Sequence, residues 1–145
     1  MDTALTWYQG SALASAVGNS PTITAMLSAL HALGFTFIMG GALFANLGTL
    51  GVLFPSRPVQ EVAGPGSRLI ALGLLLSLPT GLLLFGPRAL NTAHNSTFQL
   101  KLLLILTATA VQFGLQRRGT RAIGALGLTL WIALALTACA FILLE

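Results

Sequence analysis

Two side chains that can carry charge lie inside long apolar runs of this sequence: His31 and Lys101. Placing an ionisable group in hydrocarbon is costly, so each is a functional candidate by default. The other histidine, His94, stands with Arg88 in a more polar stretch before Lys101. Three kinds of chemistry suit this set. A b-type haem would take His31 and His94 as axial ligands, with Arg88 and Lys101 pairing with its propionates. A quinone or similar small amphiphile would receive a hydrogen bond from His31 at a carbonyl, with Trp7 or Phe35 beside its ring. A copper or zinc ion would use His31 and His94 as metal ligands. Two imidazoles do not close such a site, and no Asp, Glu or Cys stands beside them. Met26 and Met39 are soft donors for Cu(I), with Met39 about two helical turns beyond His31. The plainest reading needs no ligand. His31 is then neutral and bonded to a hydroxyl or carbonyl of a neighbouring helix, with Ser28 also within reach, while Lys101 extends towards the membrane surface.

Other chemistries find no residues. No glycine-rich phosphate loop is followed by Lys and Ser or Thr, and the three acids, Asp2, Glu61 and Glu145, all fall outside the apolar runs. Paired carboxylates, a Ser-His-acid triad and the membrane acid of a proton-driven transporter are therefore missing. A transport path would have to use Thr36, Asn46, Thr49, Ser77, Thr80, Thr107, Thr109, Gln112, Thr129 and Thr137. These are mostly weakly polar, and Thr often bonds its own helix. The single cysteine, Cys139, sits in an apolar run and reads as a small packing residue.

The elements that must position these side chains follow from composition. Hydrophobic residues make up 55% of the 145 residues, charged residues 7%, and mean hydropathy is +0.88. A soluble domain carries about 25% charged residues. A chain this poor in charge is consistent with lipid as its solvent. Four apolar runs, about 23–54, 69–85, 98–115 and 122–144, are long enough to cross a bilayer. The fold expected is all-α: a four-transmembrane-helix up-down bundle over residues 21–145, preceded by a short interfacial segment, 1–20, carrying Trp7 and Tyr8. That segment has no basic stretch and carries Asp2, so it makes a poor signal peptide.

Charge sets the orientation. Arg57, Arg68, Arg117, Arg118 and Arg121 fall on one side, Arg88 and Lys101 on the other. The five-residue side is expected in the cytoplasm, with both termini on the periplasmic side. The net charge of +4 comes from these loops rather than from a basic face, so no nucleic-acid partner is expected. Gly40, Gly41, Ala45, Gly48 and Gly51 in the first run, and Gly124, Gly127 and Ala133 in the fourth, allow close helix packing in lipid. Pro79 is expected to bend the second helix, eased by Thr80 and Gly81.

The segments LHALGFTFIMGGALFANLGTLG, PTGLLLFGPRAL and NSTFQLKLLLILTATAVQFG bear a likeness to known proteins. In His31 with Leu33-Gly34, Gly40 or Gly41, Thr80-Gly81, Phe98 with Lys101, and Trp131, the chain resembles a family of small bacterial inner-membrane proteins of unknown function. The resemblance spans roughly residues 20–140. It implies the four-helix architecture more than any activity. Two features depart from the family pattern: Asn46-Leu47-Gly48 stands where Asp-Leu-Arg is expected, and TACAFILLE replaces a stretch carrying an Arg. The functional expectation is a small membrane-embedded redox-type subunit, without catalytic activity on its own, binding haem b or a quinone near the outer face. The alternatives are a non-catalytic structural subunit of a larger membrane complex, or of a homo-oligomer, and a small transporter.

Overall fold

The computed structural model describes residues 2–144, except for the side chains of Arg117 and of residues 141–144. Glu145, placed on the outer side from sequence, lies outside the described residues, as does the Arg117 side chain. Among the described residues there is no strand. The chain begins with two short helices, α1 (Asp2–Gln9) and α2 (Ala12–Asn19). Four long elements follow: α3 (Pro21–Leu50), α4 (Val59–Phe85), α6 (Ser96–Ala110) and α7 (Arg121–Leu144). A 3-10 turn, Gly86–Arg88, and the short α5 (Ala89–His94) join α4 to α6. Four helices are long and apolar enough to cross a membrane, which makes this a multi-pass membrane protein.

The helix ends follow local chemistry. Ser20 caps α3 through a bond from the Ile23 N–H, and Pro21 sits in the first turn, where its missing N–H costs nothing. Gly51 ends α3 in the left-handed conformation (φ 78°). The helix therefore stops short of the expected Phe54, because Pro55 disfavours helix at the residue before it. Asn95 caps α6, its Oδ1 accepting from the Thr97 and Phe98 N–H groups.

The largest departure from expectation is the start of α4, ten residues before the expected Leu69. VQEVAGPGSR reads as a loop, and Pro65 removes one helical hydrogen bond. Packing overrides that preference: Val62, Ala63 and Gly66 are buried. A Cβ on Gly66 would lie 2.7 Å from the Gly41 carbonyl oxygen, and one on Gly73 would lie 2.6 Å from that of Gly34. Gly34, Gly41 and Gly48 recur every seven residues on α3, facing Gly73, Gly66 and Val62 in antiparallel order. A seven-residue spacing keeps one edge of a helix turned towards its partner. This seam makes α3–α4 the most extensive helix pair.

Beyond it, α7 packs on α3 and α6 packs on α7, around Ile38, Ala42, Ile70, Ala108, Trp131 and Leu134. The α4–α6 side has almost no close backbone approach. α1 and α2 fold over one end of the bundle, the arm end. There the Tyr8 Oη donates to the Leu82 carbonyl (2.9 Å) and Gln9 accepts from the Leu90 N–H. The opposite end, with Arg57, Arg118 and Arg121 at its loops, is the arginine end. Cys139, read from sequence as a packing residue, is exposed at the surface of the chain, where lipid would cover it.

Candidate functional site

His31 lies on the third turn of α3, half-buried against α4. Its Nδ1 is 3.0 Å from the Ser77 carbonyl oxygen and 3.2 Å from the Thr80 Oγ1. A carbonyl can only accept, so Nδ1 carries the proton and donates to Ser77. In the neutral ring Nε2 is then left with a bare lone pair. The contact is reciprocal, since the Ser77 Oγ donates to the His31 carbonyl (3.3 Å). Gly81 makes room for the ring: a Cβ there would lie 2.9 Å from Cε1. The partner of His31 is thus on α4, while Ser28 is exposed.

Lys101 stands on the second turn of α6 and faces the same space. A cavity of about 40 Å³ is lined by both groups, with Phe35 and Ile38 of α3, Leu74, Ser77 and Leu78 of α4, Ile105 of α6 and Leu134 of α7. No carboxylate lines it. Lys101 has no hydrogen bond or ion pair with another described residue. A water molecule needs about 10–15 Å³ of such volume, so the cavity has room for the edge of a larger ligand but not for a whole one. Ligand pockets that enclose a whole molecule run to about 300–1,000 Å³.

His94 does not join this space. It is exposed on α5, with Nδ1 donating to the Leu90 carbonyl (2.8 Å) and Nε2 3.7 Å from the Asp2 carboxylate. It lines a separate open cleft with Asp2, Thr6, Leu90, Asn91 and Asn95. The capped α5 turn aims the imidazole at the arm rather than into the bundle. Arg88 is exposed in the 3-10 turn and borders neither space. The four residues singled out as a haem set are therefore split: His31 with Lys101, and His94 and Arg88 apart from them. His31 and His94 also do not face each other as a metal pair, and no group of three or more His, Cys, Asp or Glu forms among the described residues. Of the aromatic neighbours expected at a quinone, Phe35 lines the cavity, whereas Trp7 is exposed on α1.

A second polar cluster lies towards the arginine end. The Gln112 Oε1 accepts from the Asn46 Nδ2 (3.2 Å) and the Trp131 Nε1 (3.3 Å), and its Nε2 donates to the Ser67 Oγ (3.0 Å) and to the Gln116 Oε1. The Gln116 Nε2 donates to the Thr49 Oγ1 (3.1 Å). All four spanning helices contribute. The α6 span carries Gln112 in a π-helical turn, Val111–Leu115, where the Gln116 N–H reaches back to the Val111 carbonyl. Asn46 bonds as a neutral amide to its own helix and to Gln112. Sequence reasoning named Asn46, Thr49 and Gln112 singly. It missed Ser67, hidden in the supposed loop, and Gln116, at the edge of its span. The four-residue spacing of Gln112 and Gln116, which puts both on one helix face, was the available signal.

Compared with protein-family models, curated proteins and solved structures, the chain matches none.

Proposed function

We propose that the chain is a small quinone-binding subunit of a bacterial inner membrane, with the arm end and both termini on the periplasmic side. The observation that carries this reading is the shared cavity of His31 and Lys101, which has no carboxylate to neutralise the ammonium. A quinone carbonyl is an acceptor and suits the Lys101 N–H donors. A quinol hydroxyl is a donor and suits the bare Nε2 of His31. One pair of side chains thus meets both redox states of the headgroup. The cavity admits the oxygen and the edge of the ring, with Phe35 and Leu74 against the ring face. Haem is the weaker form of the redox reading, because His94 and Arg88 stand elsewhere and the space beside His31 is small. Orientation rests on Arg57, Arg68, Arg118 and Arg121 gathering away from the cavity's end of the bundle. Electrons would pass through partner subunits, since the chain's own residues provide no redox centre in this reading.

The test is quinone content after purification in mild detergent. About one quinone per chain is expected with the wild type, and a small fraction of that with His31→Ala or Lys101→Met. Equal retention by both variants, or none by the wild type, overturns the reading.

A packing subunit of a larger complex is the second reading. It is favoured by the glycine seam and by a polar cluster whose hydrogen bonds are spent within the bundle, as befits a rigid body. Stable behaviour as a partner-free monomer would count against it.

A further inference from the structure

We infer that the His31–Lys101 cavity is entered sideways from the bilayer, through a portal between α4 and α6, and that its occupant is an amphiphile whose apolar tail remains in lipid. This rests on the reading of the cavity as a ligand site.

The bundle is closed unevenly. α3–α4, α3–α7 and α6–α7 pack along their lengths, whereas α4 and α6 scarcely approach through their backbones. Side chains bridge that gap at two levels. At the arm end Phe85 stacks on Phe98, with ring centroids 5.3 Å apart and planes 9° apart. At the arginine end Ser67 bonds both Gln112 and Gln116. The two levels are about 27 Å apart along α4, from eighteen residues at 1.5 Å each. The cavity lies between these levels, lined by Leu74 and Leu78 of α4, Lys101 and Ile105 of α6 and His31 of α3. Leu78 lines the cavity and is still 54% exposed, so the mouth faces away from the bundle.

The aqueous side at the arm end is covered. Tyr8 stacks on Phe85 (6.4 Å, 21°), which stacks on Phe98, giving three aromatic rings in a row about one turn beyond Gly81 and Lys101. The Tyr8 hydroxyl fastens the row to the Leu82 carbonyl, and Gly86 leaves room for Tyr8 and Ala14. A water-soluble ligand would have to part these rings. A membrane-dissolved one would not. Leu75, Leu78 and Leu82 form an exposed apolar stripe on α4 beside the mouth, at helical spacing. The recess is thus lined almost wholly by hydrocarbon, with one histidine and one lysine among its lining residues. That pattern recognises an oxygen-bearing headgroup on an apolar chain.

The experiment uses the full chain in lipid nanodiscs, with two probes: a decyl-chain benzoquinone and the same headgroup without a chain. The wild type is expected to bind the decyl form at least about tenfold more tightly. Leu78→Trp, which fills the mouth, is expected to weaken decyl binding about tenfold or more. Leu75→Trp, on the same stripe but outside the cavity lining, is expected to bind like the wild type and shows that a lipid-facing Trp is tolerated. Tyr8→Ala, which opens the arm end, should leave decyl binding within about twofold. If the wild type binds the quinone and Leu78→Trp binds it equally, the portal is overturned while the ligand reading stands. Greater loss in Tyr8→Ala than in Leu78→Trp also overturns the portal, in favour of entry from water. If the wild type binds neither probe, both ideas fall.

Discussion

At the scale of the residue, the polar side chains of this bundle divide into those that are satisfied and those that are not. Gln112 uses both ends of its amide, and removing it would take the partner of the Trp131 indole and one bond each from Asn46, Ser67 and Gln116. A buried group left without its partner costs about 1–3 kcal/mol in water-based series, and polar contacts within membranes average somewhat less. Gln112→Leu is expected to lower stability by about 2 kcal/mol, measured by unfolding in mixed micelles. Asn46→Leu should do less damage, since one of its two bonds stays within α3. His31 and Lys101 behave differently. Both line one cavity, and among the described residues Lys101 has no hydrogen bond or ion pair. Both stood out in the sequence as ionisable groups in apolar runs, and the structure brings them to one cavity. Their separation from His94 was not legible. The direction in which α5 aims its imidazole depends on the cap at Asn95 and on Asp2 across the arm, a contact spanning most of the chain.

At the scale of the element, the α3–α4 pair holds the site together, because His31 on one helix is oriented by Ser77 on the other. Pro79 sits two residues beyond Ser77 and removes a donor from the ladder there. The glycine seam sets the distance. Gly73→Leu would drive a side chain into the Gly34 carbonyl and Ile38, and overpacking of this kind costs about 1–3 kcal/mol. It should also weaken quinone retention, by moving Ser77 away from His31. Gly64→Ala and Gly114→Ala meet nothing within 4 Å and are expected to leave both readouts unchanged. A thermal-stability series across these three variants checks the contrast, and equal destabilisation by all three would contradict the seam. The small-residue content of α3 was visible in the sequence, but half of the seam was not. Gly66 lay in a Gly-Pro-rich segment whose local preference is for loop, and only the matching surface of α3 makes it helical. The lateral gap between α4 and α6 was equally hidden, because hydropathy reports which segments cross a membrane and not which of them touch.

At the scale of the whole molecule, four apolar spans were legible from composition and run length, and the structure shows them. The proposed orientation rests on arginine placement and is directly checkable. In a Cys139→Ala background, Asn91→Cys is expected to react with a membrane-impermeant maleimide added to intact cells, and Arg57→Cys only after lysis. The reverse pattern would turn the protein over and put the cavity near the cytoplasmic face. The bundle combines a tightly packed hairpin, a polar cluster towards the arginine end and, between that cluster and the aromatic stack of the arm end, a small cavity that His31 and Lys101 line. The most direct measurement is photoaffinity labelling with an azido-quinone in native-like membranes, read by mass spectrometry. The account predicts label concentrated on the cavity residues of α3, α4 and α6 around His31, Leu74, Leu78 and Lys101, and competed away by unlabelled quinone. Label spread over the outward leucines such as Leu72 and Leu106, with no competition, would contradict it.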